Sequence, residues 1–182
     1  YRIVIGFANG PCNYGPSRKL ADQPKEVFAI MNYAVDENGQ PIFYRKIAET
    51  VVHEFCHSFT KIKGDTEKAL EKSGRILQGY TRFSMKRQAY DTWKNILEES
   101  LVRAATICYL IDHEYDEKAV RGAIVEQVDH NFFWMPELVQ TLRYYESHRR
   151  KYPAFASFWP EIVRFFDNYV TDREKQISKA MK

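Results

Sequence analysis

The hydrophobic pattern of this sequence changes period near residue 45, and that change limits the folds open to it. Tyr1 to Phe7 is rich in β-branched residues and alternates weakly, the period of a strand whose successive side chains face opposite ways. It runs into Asn9-Gly10-Pro11, a turn signal, and Asn13-Tyr14-Gly15-Pro16 prolongs the loop. Glu26 to Val35 reads as a second strand, and Asp36-Glu37-Asn38-Gly39 as a tight turn into a partner around Pro41 to Tyr44. Beyond it apolar residues recur at helical spacing: Ile47, Val51, Phe55 and Phe59 share one side of a helix region that Gly64 ends.

Asp65 to Leu77 reads as a short exposed helix or a connection. Ser84 is placed to cap a long helix running to about Ile111, with Tyr90, Trp93, Leu97, Leu101, Ala104 and Cys108 tracking one face. Two or three more helices follow, over Glu117 to His130, Met135 to Arg150, and Trp159 onward, punctuated by Pro136, Tyr152-Pro153 and Trp159-Pro160. There is no internal repeat, and no shift of composition marks a linker. The expected architecture is one α+β domain over residues 1–182, with a small antiparallel or mixed sheet and loops in 1–44 and helices in 45–182.

A chain of 182 residues can bury a core without staples. Its net charge is only +3, with no block of one sign, which argues against a dedicated nucleic-acid or membrane-surface binder. No apolar run approaches the roughly 18 to 20 residues needed to cross a bilayer. Cys12, Cys56 and Cys108 are odd in number and lack CxxC spacing, so neither a cysteine zinc site nor a disulfide framework is expected. The start at Tyr1 looks trimmed and leaves room for a removed leader.

Chemistry concentrates in Val52-His53-Glu54-Phe55-Cys56-His57-Ser58, a His-Glu-x-x-His pattern on the first amphipathic helix. Residues four apart lie one turn apart on the same face, so His53 and His57 can converge on one ion, as tetrahedral zinc requires. Glu54 flanks that face, where a carboxylate can take a proton from a polarised water and deliver it to a leaving amine. With 5 His in 182 residues, random placement produces the pattern with a probability of about 0.01. The competing reading is two solvent-facing histidines and an incidental glutamate; His113, His130 and His148 lack ligand spacing.

Two histidines leave a zinc site open, and Ser58 to Gly64 contains no third. The long helix offers Glu98 and Glu99, which point about 100° apart, so only one can face the ion. Glu99 shares a polar seam with Thr92, Asn95, Arg103 and Thr106 and is the expected ligand, with Glu98 as the alternative. Arg103, one turn on, is a candidate to orient that carboxylate, and Tyr14, in the Asn-Gly loop, a candidate donor to the reaction's oxyanion.

The runs Asn13-Tyr14-Gly15-Pro16, Val52 to Phe59, and Glu99-Ser100-Leu101-Val102-Arg103-Ala104, with Phe132-Phe133-Trp134 and Tyr145-Glu146 through Tyr152-Pro153, resemble DUF4932. This is a family of HExxH-bearing proteins common in Bacteroidetes. The resemblance implies a zincin-like fold and a gluzincin-like metallopeptidase with two histidines and one glutamate around Zn2+. It also implies, with the trimmed start, an exported protein. The expected activity is hydrolysis of a peptide or protein substrate laid along one sheet edge, with Glu54 as general base. The alternatives are a catalytically silent zinc-binding scaffold and a helical protein-interaction domain whose histidines bind nothing.

Overall fold

The structure is a computed structural model that describes residues 1–6, 12–32, 34–42, 45–113 and 115–181. It is of mixed α+β class, and the chain divides into two compact units, Tyr1–Lys61 and Ile62–Lys182.

In the first unit, strands β1 (Arg2–Ile5), β2 (Ser17–Arg18) and β3 (Glu26–Met31) form a sheet of order β1-β3-β2. The sheet is mixed: β1 runs parallel to β3, with Arg2 opposite Phe28 and Ile5 opposite Met31, and β2 runs antiparallel to it. Central strand β3 buries Val27, Ala29 and Met31 in strict alternation, the period-two pattern that made it legible. Strands β4 (Ala34–Val35) and β5 (Pro41–Ile42) pair separately as an antiparallel hairpin. Its turn is the expected one, with Gly39 at φ 77° and the Asp36 carboxylate accepting from the Asn38 and Gln40 amides. The single strand expected over Glu26 to Val35 is therefore two strands. Phe7, the Asn9-Gly10-Pro11 turn and Tyr44 lie outside the described residues.

Helix α1 (Arg45–Cys56) packs on β3. Gly15 passes so close to it that a Cβ there would stand 1.9 Å from the Glu54 carbonyl oxygen. Only glycine fits, which gives the Asn-Tyr-Gly-Pro run a physical reason.

The second unit is helical: α2 (Asp65–Arg87), α3 (Trp93–Asp112), α4 (Glu117–Asp129), α5 (Met135–Ser147) and α6 (Trp159–Ala180), with a 3-10 turn at Phe155–Phe158 before α6. Helix α3 lies at its centre, packed by α2, α4 and α5, while α6 packs on α2 and α5. Trp134, Phe132, Phe158 and Phe166 are fully buried in one apolar cluster with Leu70, Leu77, Leu97 and Leu101. Each large side chain of that kind contributes about 1.5–3 kcal/mol. The Trp134 indole N–H donates to Ser100 Oγ at 2.9 Å, so its burial leaves no orphan donor. Gly74 admits Trp93, whose ring carbon would lie 2.5 Å from a Cβ at that position.

Two expectations are corrected. Asp65 to Leu77 is not a short exposed helix but the first half of α2, which buries Leu70, Leu77 and Met85. Ser84 does not cap the long helix; it lies within α2 and donates to the Thr81 carbonyl at 2.8 Å. The cap of α3 is Thr92, whose hydroxyl accepts from the Asn95 amide at 3.1 Å. Among the described residues no helix is long and apolar enough to cross a membrane.

Candidate metal centre

Helix α1 ends at Cys56, and His57 sits on the turn that follows, where Ser58 and Phe59 amides donate back to the Phe55 and Cys56 carbonyls at 3.1 and 2.9 Å. That turn is held from outside the helix. Lys25 Nζ donates to the Ser58 carbonyl at 2.8 Å and lies 5.6 Å from the centre of the Phe59 ring. A cation on the final carbonyls of a helix satisfies acceptors that have no intrahelical donor. His53 and His57 are thereby kept on one face, with ring centres 5.0 Å apart and planes at 81°.

Glu54 is buried, with 6 % of its surface exposed, and its Oε2 lies 4.0 Å from His57 Nε2. Cys56 flanks this face as a neutral thiol, because burial pushes it up to about 11. A protonated thiol is a poor ligand, and Cys56 is not among the residues that could share an ion with the histidines.

The two glutamates of α3 have separate tasks, although both are buried. Glu98 accepts the Ile62 amide at 2.8 Å, anchoring the backbone that enters the helical unit. Glu99 accepts from Arg103 Nε at 2.8 Å, an i,i+4 pair with side chains 6 % and 19 % exposed. One ligand atom each from His53, His57 and Glu99 lie within 4.8 Å of one another. Glu98 does not join this group, in keeping with the opposed directions of adjacent helical residues.

Arg103 is the hub of the surrounding polar groups. Its NH2 donates to the Tyr90 hydroxyl at 3.1 Å, its NH1 to Gln127 Oε1, and its guanidinium carbon lies 4.8 Å from the centre of the Phe132 ring. Burial works against the Arg103 charge, but the Glu99 carboxylate and Tyr90 outweigh it and hold its pKa above the ordinary arginine value. Burial also raises the Tyr90 phenol, assisted by the charge of Glu99 and opposed by Arg103. Tyr14, the other residue named from sequence, is exposed and bridges Ile30 through paired backbone hydrogen bonds of 2.9 and 2.8 Å.

The sequence pattern missed Tyr90 and Gln127. Tyr90 reads as one more residue of an apolar helical stripe, but it precedes α3 and turns its hydroxyl to Arg103. Gln127 lies 24 residues from Arg103 on a helix with no buried residue, and nothing local marks it.

The DUF4932 family, described as a domain of unknown function, matches residues 1–165, and the chain belongs to it. No curated protein and no solved structure matches the chain.

Proposed function

We propose that this member of DUF4932 is a zinc-dependent peptidase of the gluzincin type with a zincin-like fold, in which His53, His57 and Glu99 hold the ion and Glu54 is the general base. The observation that carries the reading is the grouping of those three ligand atoms within 4.8 Å.

The donor set fits zinc. Two imidazoles and one carboxylate make a three-ligand site that leaves a fourth position for water or substrate. When bound, zinc would polarise a water and the scissile carbonyl. The protein's own part is proton traffic and orientation. Glu54, with its oxygen 4.0 Å from His57 Nε2, stands beside the ligands without joining them. Its carboxylate takes the proton lost by the attacking water and passes it to the leaving amine of the cleaved peptide bond. Arg103 holds one oxygen of Glu99. Strand β1, at one end of the order β1-β3-β2, offers a sheet edge along which an extended peptide can add as a further strand.

The test is elemental analysis of the purified protein followed by cleavage of a mixed peptide library. The expected result is about one zinc per chain, lost in His57→Ala, strongly reduced in Glu99→Gln and retained in Glu98→Gln. Glu54→Gln should keep its zinc and lose hydrolysis by about 100-fold or more. A protein that takes up no zinc overturns the whole reading. Zinc uptake with undiminished cleavage by Glu54→Gln overturns the role of Glu54, and zinc uptake with no cleavage by the parent leaves the silent scaffold.

A further inference from the structure

Arg103 is held on more sides than an ion pair with one glutamate requires. Its Nε is given to Glu99, its NH1 to Gln127 of α4 and its NH2 to Tyr90, which precedes α3, while its guanidinium lies against the Phe132 ring. Each partner has its own support. Tyr90 and Phe132 meet edge to face with centres 6.0 Å apart, and Phe132 is fully buried. The chain reaches Phe132 through a turn in which Asn131 adopts φ 69° and the Phe132 amide donates to the Gln127 carbonyl at 2.9 Å. The Gln88 side chain donates to the neighbouring His130 carbonyl at 3.0 Å, tying this turn to the end of α2. The carbonyl and the side-chain oxygen of Gln127 are thus both engaged, the first by Phe132 and the second by Arg103.

A solvated Glu-Arg pair on a helix is a weak interaction and leaves both side chains free to change rotamer. Here the arginine has one available place. A guanidinium presents its donors in a rigid planar fork, so fixing two of its nitrogens and one face fixes the direction of the third. That third direction is the one in which Glu99 Oε1 accepts at 2.8 Å.

We infer that Tyr90 and Gln127 are positioning residues of the metal centre, Gln127 acting through Arg103 and Tyr90 acting both through Arg103 and on Glu99 itself, to fix the Glu99 carboxylate in the orientation that ligates the ion. The inference rests on the zinc reading of His53, His57 and Glu99. Groups hydrogen-bonded to ligands restrict them before the ion arrives, and the ordering entropy of the ligand is then spent during folding rather than on binding. Gln127 acts at two removes, through Arg103, so its effect must vanish when Arg103 is absent.

The experiment is a competition titration of zinc against a chromophoric chelator, with the metal-free thermal midpoint of each variant recorded beside it. Loss of a group bonded directly to a ligand typically weakens metal binding about 10- to 100-fold, and Arg103→Ala is expected in that range. Tyr90→Phe and Gln127→Ala should each weaken it by a smaller factor, about 3- to 10-fold. Gln127→Glu, which keeps an oxygen facing the guanidinium, should restore parental affinity. In the Arg103→Ala background, Gln127→Ala should change affinity no further, and this non-additivity separates positioning from general destabilisation. Parental affinity in Gln127→Ala overturns the inference while the zinc reading stands. Equal losses from Gln127→Ala with and without Arg103 also overturn it. A parent that binds no zinc overturns both.

Discussion

Cys56 stands between the two histidines in sequence, yet its chemistry is set by burial. A thiol ionises near pH 9 in an unfolded chain, whereas burial raises this one to about 11. Because the folded state keeps its proton longer than the unfolded state, Cys56 contributes stability fully below about pH 9, and that contribution is lost as pH rises to about 11. The shift corresponds to roughly 2–3 kcal/mol over that window. Urea midpoints of the metal-free protein should therefore fall more steeply between pH 8.5 and 10.5 than those of Cys56→Ala. Parallel pH profiles would show that the thiol is as hydrated in the fold as outside it. Alkylation gives the matching contrast at pH 8: Cys12, which is exposed, should react well before Cys56.

At the scale of elements, α1 is placed by a contact that side chains do not make. Gly15 lies against the helix backbone at Glu54, where a single methyl would approach the carbonyl oxygen to 1.9 Å. Gly15→Ala must displace either α1 or the bridge that Tyr14 makes with Ile30, and both are backbone-paired. The expected cost is about 2–4 kcal/mol, with a lowered thermal midpoint and weakened zinc binding, read by calorimetry and chelator competition. Unchanged stability would mean that the loop slides freely past the helix. The sequence displayed α1 clearly, because its apolar and polar faces separate at helical period, although the helix stops at Cys56 and leaves His57 on the turn that follows. It displayed α2 poorly. Leu70, Leu77 and Met85 form a stripe so narrow that the charged residues between them read as an exposed connection. Ser84 has the chemistry of a cap and stands instead in the helix interior, where its hydroxyl bonds back to a carbonyl three residues earlier. The choice of Glu99 over Glu98 followed from helical angle alone, whereas the Tyr90, Gln127 and Phe132 contacts to Arg103 join residues up to 29 positions from it, a reach no local pattern encodes.

At the scale of the molecule, apolar burial is uneven. The helical unit holds a continuous cluster from Ile62 to Val170, whereas among the described residues of the first unit the buried apolar side chains are Val27, Ala29 and Met31. Each large apolar side chain of that kind contributes about 1.5–3 kcal/mol, so this difference in burial bears on how the two units respond to a ligand. A bound ion would add stability to residues 1–61, because it favours the state in which His53 and His57 are already arranged. At a free zinc concentration 100 times Kd, the native state gains about 2.7 kcal/mol over an unfolded state without affinity for the metal. Local opening of the first unit should respond most, since it carries two of the three candidate ligands, His53 and His57. Amide exchange over Glu26–Met31 and Arg45–Cys56 should slow by about 10- to 100-fold with zinc and return to the metal-free rate with chelator. In His57→Ala the two rates should coincide. Exchange that slows only in Ile62–Lys182 would place the ion away from α1, and the histidines would then have to be surface residues of a helix that binds no metal.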